Sequence, residues 1–134
     1  MTPVLVDSNV LIDLAECDPQ WFGWSAAMVE HHGSLAVLVI NPIIFAEFSV
    51  GFARAEEADA ALPGDYFLRE QLPWEAAFLA GKTFLAYRRR GGSRKAPLPD
   101  FFIGAHAAVR GYRLLTRDAA RFRTYFPRLE LIAP

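Results

Sequence analysis

The sequence is nearly devoid of cysteine. Cys17 is the only one among 134 residues, which excludes an intramolecular disulfide framework and any multi-cysteine zinc site. A reducing, cytoplasmic location is the matching expectation. A long apolar run is also missing. The longest uncharged stretch, Gly33 to Ala46, spans 14 residues and contains Pro42. That is short of the ~20 residues a helix needs to cross a bilayer, so no membrane association is expected. The N-terminus has no basic region, and Asp7 interrupts the first apolar run too early for a signal peptide. No repeat, low-complexity tract or linker divides the chain, and residues 1–134 are read as one domain.

What is present is a folded composition, 53% hydrophobic and 22% charged, with a net charge of −1. That small net value conceals an uneven distribution. Residues 1–75 carry two bases (Arg54 and Arg69) against twelve acids, whereas residues 76–134 carry twelve bases against three acids. The expectation is one negative and one positive region, unless folding intermixes the halves. A polyanion would suit the positive one.

Val4-Leu5-Val6 reads as a buried strand that ends at Asp7, with a helix over Ser8–Ala15 after it. A second helix is expected over Trp21–His31 and a second strand over Leu35–Ile40. Asn41-Pro42 then starts a helix, with Asn as N-cap and Pro at the first helical position. Further helices are expected over Ala55–Leu62, Trp74–Arg90, Pro99 to about Gly111, and Asp118–Phe126. Arg113–Thr116 and Leu129–Ile132 complete the strands. The segment Tyr66–Pro73 carries no interpretable pattern. Strands without polar alternation, separated by helices, indicate an α/β fold with a mainly parallel central sheet covered on both faces. In such sheets, sites form beyond the carboxyl ends of the strands. Asp7 and Asp118 follow strands, and Glu47 and Asp100 fall early in helices.

Each carboxylate has a plain structural alternative. Asp7, Asp100 and Asp118 all stand at expected helix starts, where aspartate caps backbone N–H groups. Glu47 is different, because at helical spacing it shares a face with Ile43, Ile44, Val50 and Gly51. That face is otherwise apolar and is expected to point inward, where a carboxylate costs several kcal/mol unless paired or bound to a metal. Arg54 is one possible partner. On the helix after Asp100, the small residues Gly104, Ala107 and Ala108 line the same stripe and would permit close approach to the sheet. A crowd of carboxylates needs a cation. Without a histidine or cysteine cluster, oxygen ligands favour a hard ion such as Mg²⁺ or Mn²⁺, and such an ion suits phosphodiester cleavage.

Four motifs in order resemble the PIN domain: Val6-Asp7-Ser8-Asn9-Val10-Leu11-Ile12, Glu47 in the helix after the second strand, Pro99-Asp100-Phe101-Phe102-Ile103-Gly104-Ala105-His106-Ala107, and Leu114-Leu115-Thr116-Arg117-Asp118. More narrowly they resemble the VapC-like toxins of bacterial and archaeal toxin–antitoxin pairs, and the ending from Phe122 to Ile132 fits as well. The resemblance covers essentially the whole chain. It implies a PIN-like three-layer sandwich and an Mg²⁺- or Mn²⁺-dependent endoribonuclease, dimeric and held inactive by a cognate antitoxin. Asp7, Glu47, Asp100 and Asp118 match the family's acidic centre. Thr116 and Asn9 match supporting polar positions, and Ser8 is a looser match.

Other features stay open. Arg88, Arg89, Arg90, Arg94 and Lys95 flank Gly91-Gly92 and fit either a solvated helix end or contact with an RNA backbone. Arg117 is a second RNA-binding candidate. His106, six residues after Asp100, reads as an ordinary helical histidine. His31 and His32 belong to a helix end, and Cys17 has no general base nearby. Trp21, Phe22, Trp24 and Met28 fit core packing or a surface for a partner. The alternative function is a non-catalytic Mg²⁺-binding signalling or interaction domain on a similar fold. A phosphoacceptor receiver would need a late lysine, and none follows Lys95. A haloacid-dehalogenase-type hydrolase would need Asp-x-Asp, but the sequence has Asp7-Ser8-Asn9.

Overall fold

A computed structural model describes residues 1–134. Five strands, β1 (Val4–Val6), β2 (Leu38–Ile40), β3 (Phe67–Arg69), β4 (Arg113–Leu115) and β5 (Leu131–Ile132), form one sheet in the order β3-β2-β1-β4-β5. Every pairing is parallel, with Leu5 in register with Val39 on one side and Leu114 on the other. Seven helices accompany the sheet: α1 (Ser8–Glu16), α2 (Phe22–Leu35), α3 (Pro42–Ser49), α4 (Ala55–Ala61), α5 (Trp74–Arg89), α6 (Pro99–Arg110) and α7 (Ala120–Tyr125).

Right-handed crossovers place α1–α4 on one face as the chain steps from β1 to β3. The chain then reverses past β1 to β4, which carries α5–α7 onto the other face. The result is the expected α/β three-layer sandwich. β1 and β2 are buried along their whole length, which is why neither shows polar alternation. They centre a core of 23 buried residues that also takes in Ile44, Phe101, Ile103 and Phe122.

Asn41 caps α3, its side chain accepting from the Ile44 N–H at 2.9 Å, with Pro42 in the first turn. Gly111 closes α6 in the left-handed conformation at φ 70°, where a side chain would be strained.

Three boundaries differ from expectation. α2 runs on through Leu35, so the second strand begins only at Leu38; Leu35 and Val37 are both half exposed and have no buried face to pair. The last helix begins at Ala120 rather than Asp118. The unread segment holds β3, a three-residue edge strand with only Phe67 buried. An edge strand facing solvent lacks the continuous apolar run that marks β1 and β2.

The small stripe of α6 also serves a different neighbour. A Cβ on Gly104 would lie 2.4 Å from the Phe126 ring. That glycine therefore admits the aromatic side chain that follows α7 rather than the sheet. Ala108 is exposed, while the bulky Phe101 and Ile103 are fully buried.

Candidate active site

The strand order reverses between β1 and β4, and at such switch points the loops diverge to leave a crevice. Asp7 leaves β1 here and Thr116 leaves β4. The Asp7 N–H donates to the Leu115 carbonyl at 2.9 Å, which fixes the carboxylate at the sheet edge. Asp7 Oδ1 accepts from the Ser8 N–H at 2.7 Å and so caps α1. Asp7 Oδ2 accepts from the Thr116 hydroxyl at 2.8 Å. Thr116 Oγ1 in turn accepts from Asn9 Nδ2 at 3.2 Å and from the Asp118 N–H at 3.1 Å. Thr116, Asn9 and Ser8 therefore all serve to hold Asp7 or its neighbours.

Asp7 is almost wholly buried, and burial pushes its carboxyl up to about 7; Asp100 and Glu47 add to the rise, while the Thr116 and Ser8 hydrogen bonds oppose it. Asp100 is also held above the usual carboxylate range by burial and by Asp118, against the pull of Arg121. Asp7 thus feels Asp100 and Glu47, and Asp100 feels Asp118, along one edge of the sheet. Perturbed carboxylates grouped in a crevice are a mark of functional sites.

Capping accounts for only one of the three aspartates. Asp100 lies within the first turn of α6, whose N-cap is Leu98, and Ala119 is the N-cap of α7. Neither Asp100 nor Asp118 makes a capping bond. Asp100 instead accepts from Arg121 Nη1 at 3.1 Å, and together with Asp118 and Tyr125 it lines a cavity of about 430 Å³.

Glu47 departs from expectation. Its helical face is turned inward only in part: Ile44 is fully buried and Ile43 packs on the core, whereas Val50, just past the end of α3, is 86% exposed. Glu47 is half-buried beside a cavity of about 460 Å³ shared with Ser8, Asn9 and Phe48. It accepts from the Ser8 hydroxyl at 2.8 Å. Arg54 is exposed and pairs with Glu56, so it does not neutralise Glu47.

The donor set is chemically suited to a hard divalent cation: four carboxylates with hydroxyl and amide oxygens and no sulfur. The buried Asp7, flanked by other acids, is the group whose ionisation such a cation would relieve. With the side chains as they stand, no three carboxylate, histidine or thiol groups lie close enough to share one ion. Arg121 holds Asp100 and Ser8 holds Glu47, so a shared ion would require those two side chains to rotate.

A sequence model of the PIN domain matches residues 4–126. The chain belongs to the PIN domain family. No curated protein matches it. Solved structures similar to this PIN domain include a chain of VapBC2 from Rickettsia felis bound to a DNA fragment from its promoter, with a TM-score of 0.76, 17% identity and 98% of both chains covered. A chain of DNA-bound VapBC from Salmonella typhimurium superposes with a TM-score of 0.71 at 20% identity, covering 99% of this chain and 98% of that one. A chain of a toxin–antitoxin complex from Klebsiella pneumoniae gives a TM-score of 0.68 at 21% identity, with coverage of 96% and 95%.

The basic residues of this PIN domain divide into two groups. Arg88, Arg89, Arg90, Arg94 and Lys95 are all exposed at the end of α5 and in the loop that leads to α6. Arg88 donates to the Arg94 carbonyl at 2.7 Å, and Arg90 lies over the Tyr125 ring at 5.5 Å, so the cluster adjoins the Asp100 cavity. Arg117, expected as an RNA contact, is instead paired with Asp13. Its Nε donates at 2.8 and 3.1 Å, Ser25 completes the buried carboxylate at 2.8 Å, and Trp21 lies under the guanidinium. That explains Trp21 as packing for an ion pair. Trp24 and Met28 pack on the core, and Phe22 is 41% exposed.

His106 is more than an ordinary helical residue. It is fully buried, with Asn41 at 2.9 Å from Nδ1 and Glu70 at 2.9 Å from Nε2. Asn41 Oδ1 is occupied by its helix cap, so its amide nitrogen faces Nδ1, and the proton belongs on Nε2 toward Glu70. Tyr112 donates to the other Glu70 oxygen at 2.7 Å, and Arg110 approaches within 3.4 Å. Glu70 immediately follows β3, inside the segment that could not be interpreted from sequence. A buried network of this kind fixes the start of α3, and with it the helix that presents Glu47.

Proposed function

We propose that the chain is an Mg²⁺- or Mn²⁺-dependent endoribonuclease and the toxin of a type II toxin–antitoxin pair. The observation that carries the reading is Asp7, a carboxylate at the sheet's switch point, pushed up by burial and further by Asp100 and Glu47, and held by Thr116 and Ser8. The likeness to chains of VapBC and of a toxin–antitoxin complex supports a cognate antitoxin as partner; on this reading the protein works as a homodimer in the cytoplasm. No helix is long and apolar enough to cross a membrane.

Asp7, Asp100 and Asp118 would hold the ion, and Glu47 would complete or tune the site. When bound, the ion activates water and offsets the charge developing on the phosphate. Thr116 and Asn9 keep the Asp7 carboxylate pointed into the crevice, and the Ser8 hydroxyl orients Glu47. Arg88, Arg89, Arg90, Arg94 and Lys95 would hold the RNA backbone beside the acids.

The test is cleavage of single-stranded and structured RNAs with Mg²⁺ or Mn²⁺, with EDTA, and with Asp7→Asn and Asp100→Asn. Cleavage should stop in EDTA and fall by roughly 10²-fold or more in each variant. Full activity in either variant would refute the mechanism. Expression should be toxic, and relieved by the antitoxin gene.

A further inference from the structure

The cavity that holds Asp100 and Asp118 has a second wall with no role in handling metal. Tyr87 at the end of α5 and Tyr125 at the end of α7 stand 6.3 Å apart, both partly exposed, and both line this cavity of about 430 Å³ with Arg121 and Thr124. The Tyr87 and Tyr125 rings are braced from behind by the buried Phe101, at 5.5 and 5.3 Å. Tyr125 is partly exposed, and the exposed Arg90 guanidinium lies over its ring at 5.5 Å.

Tyr87 is packed by Phe84, Gly92 and Phe101, so Tyr125, with an exposed arginine over its ring, is the π-surface placed in the same cavity as the two carboxylates. A phosphate needs none of that π-surface; a nucleobase does. Every base offers a π-face, and stacking between an aromatic ring and an arginine plane is how proteins hold unpaired bases. A base within a duplex is already stacked and cannot enter.

We propose that Tyr125, backed by Tyr87, forms with Arg90 a stacking subsite for one unpaired nucleobase of the bound RNA beside the acids, the exposed Arg90 guanidinium lifting from its 5.5 Å contact with the ring to admit the base. This rests on the ribonuclease reading but is tested separately from it. Arg90 would then sandwich the base rather than merely pair with a phosphate. Arg89 and Lys95 supply the backbone attraction.

The experiment is binding, in EDTA so that nothing is cleaved, of a short fluorescent single-stranded RNA. Its partners are the same RNA carrying an abasic site at each position in turn, and its duplex. Wild-type protein should bind the intact strand roughly 5- to 100-fold more tightly than one of the abasic strands, and should bind the duplex more weakly. Tyr125→Leu should erase the difference between intact and abasic strands, whereas Tyr125→Phe should keep it. Arg90→Ala, at an exposed position, should reduce it without disturbing the fold. The subsite is refuted if no abasic position matters, if Tyr125→Leu keeps the full difference, or if the duplex binds as well as the single strand. Cleavage with Mg²⁺ is scored apart. Base-dependent binding without any cleavage would uphold the subsite and overturn the ribonuclease reading.

Discussion

The buried carboxylate of Asp7 makes a quantitative prediction about stability. Its folded-state value of about 7 lies well above its ordinary 3.8, and each unit is worth ~1.4 kcal/mol. Below about pH 4 the group is protonated in both folded and unfolded chains and contributes no pH dependence. Between the two values the unfolded chain releases its proton first, so stability falls as pH rises. Above about pH 7 the loss is complete, at most ~4 kcal/mol. Asp7→Asn removes this cost but replaces the oxygen facing Thr116 with an amide nitrogen, which gives back about 1 kcal/mol. The variant should therefore be about 1–3 kcal/mol more stable than wild type at pH 8 and no more stable near pH 4. In urea, that is a midpoint higher by roughly 1 M. Unfolding is followed in EDTA from pH 4 to 8. A variant no more stable than wild type at pH 8, or a difference that stays flat across the range, would refute the reasoning.

Other consequences are separately measurable. Adding Mg²⁺ or Mn²⁺ should raise the wild-type melting temperature and leave Asp7→Asn almost unmoved, because ligand binding stabilises only a chain that binds. Asp13→Ala strips the partner from Arg117 and Ser25 and should cost about 2–3 kcal/mol by urea unfolding; a loss under 1 kcal/mol would show the pair to be incidental. Gly104→Ala drives a methyl into the Phe126 ring and should cost about 1–3 kcal/mol, a loss that Phe126→Leu in the same chain should partly restore. His106→Leu leaves Glu70 and Asn41 without their shared partner and should cost about 2–4 kcal/mol, with amide exchange at the start of α3 accelerated more than exchange in α1.

The parts legible from sequence share a physical feature. β1, β2 and β4 are buried on both faces, so each shows as an apolar run, and Asn41-Pro42 states its helix start by local chemistry. β3 is an edge strand with one buried residue, so nothing local distinguishes it from a loop. Glu70 lies in the Tyr66–Pro73 segment with it, and its bond to His106 is not legible from sequence, because topology brings the two together across 36 residues of chain. Glu47 shows the limit of helical periodicity. The apolar face it shares ends at Val50, which projects into solvent. Glu47 stands half-buried at the margin of that face, and the Ser8 hydroxyl ties it to the end of α1 that Asp7 caps.

The charge asymmetry of the chain is resolved by the same topology. β1, from the acidic half, pairs with β4, from the basic half, so the two halves meet at the centre of the sheet. Asp13 then takes Arg117, and Glu70 takes Arg110, each pair joining one half to the other. These pairs consume charge that would otherwise form two separate faces. Arg88, Arg89, Arg90, Arg94 and Lys95 pair with no carboxylate, and the loop that carries them leads directly into the helix of Asp100. Folding thus leaves exposed positive charge beside the half-buried Asp100 and the exposed Asp118. A polyanion drawn to that loop by long-range attraction would arrive next to the acids that, by themselves, repel it.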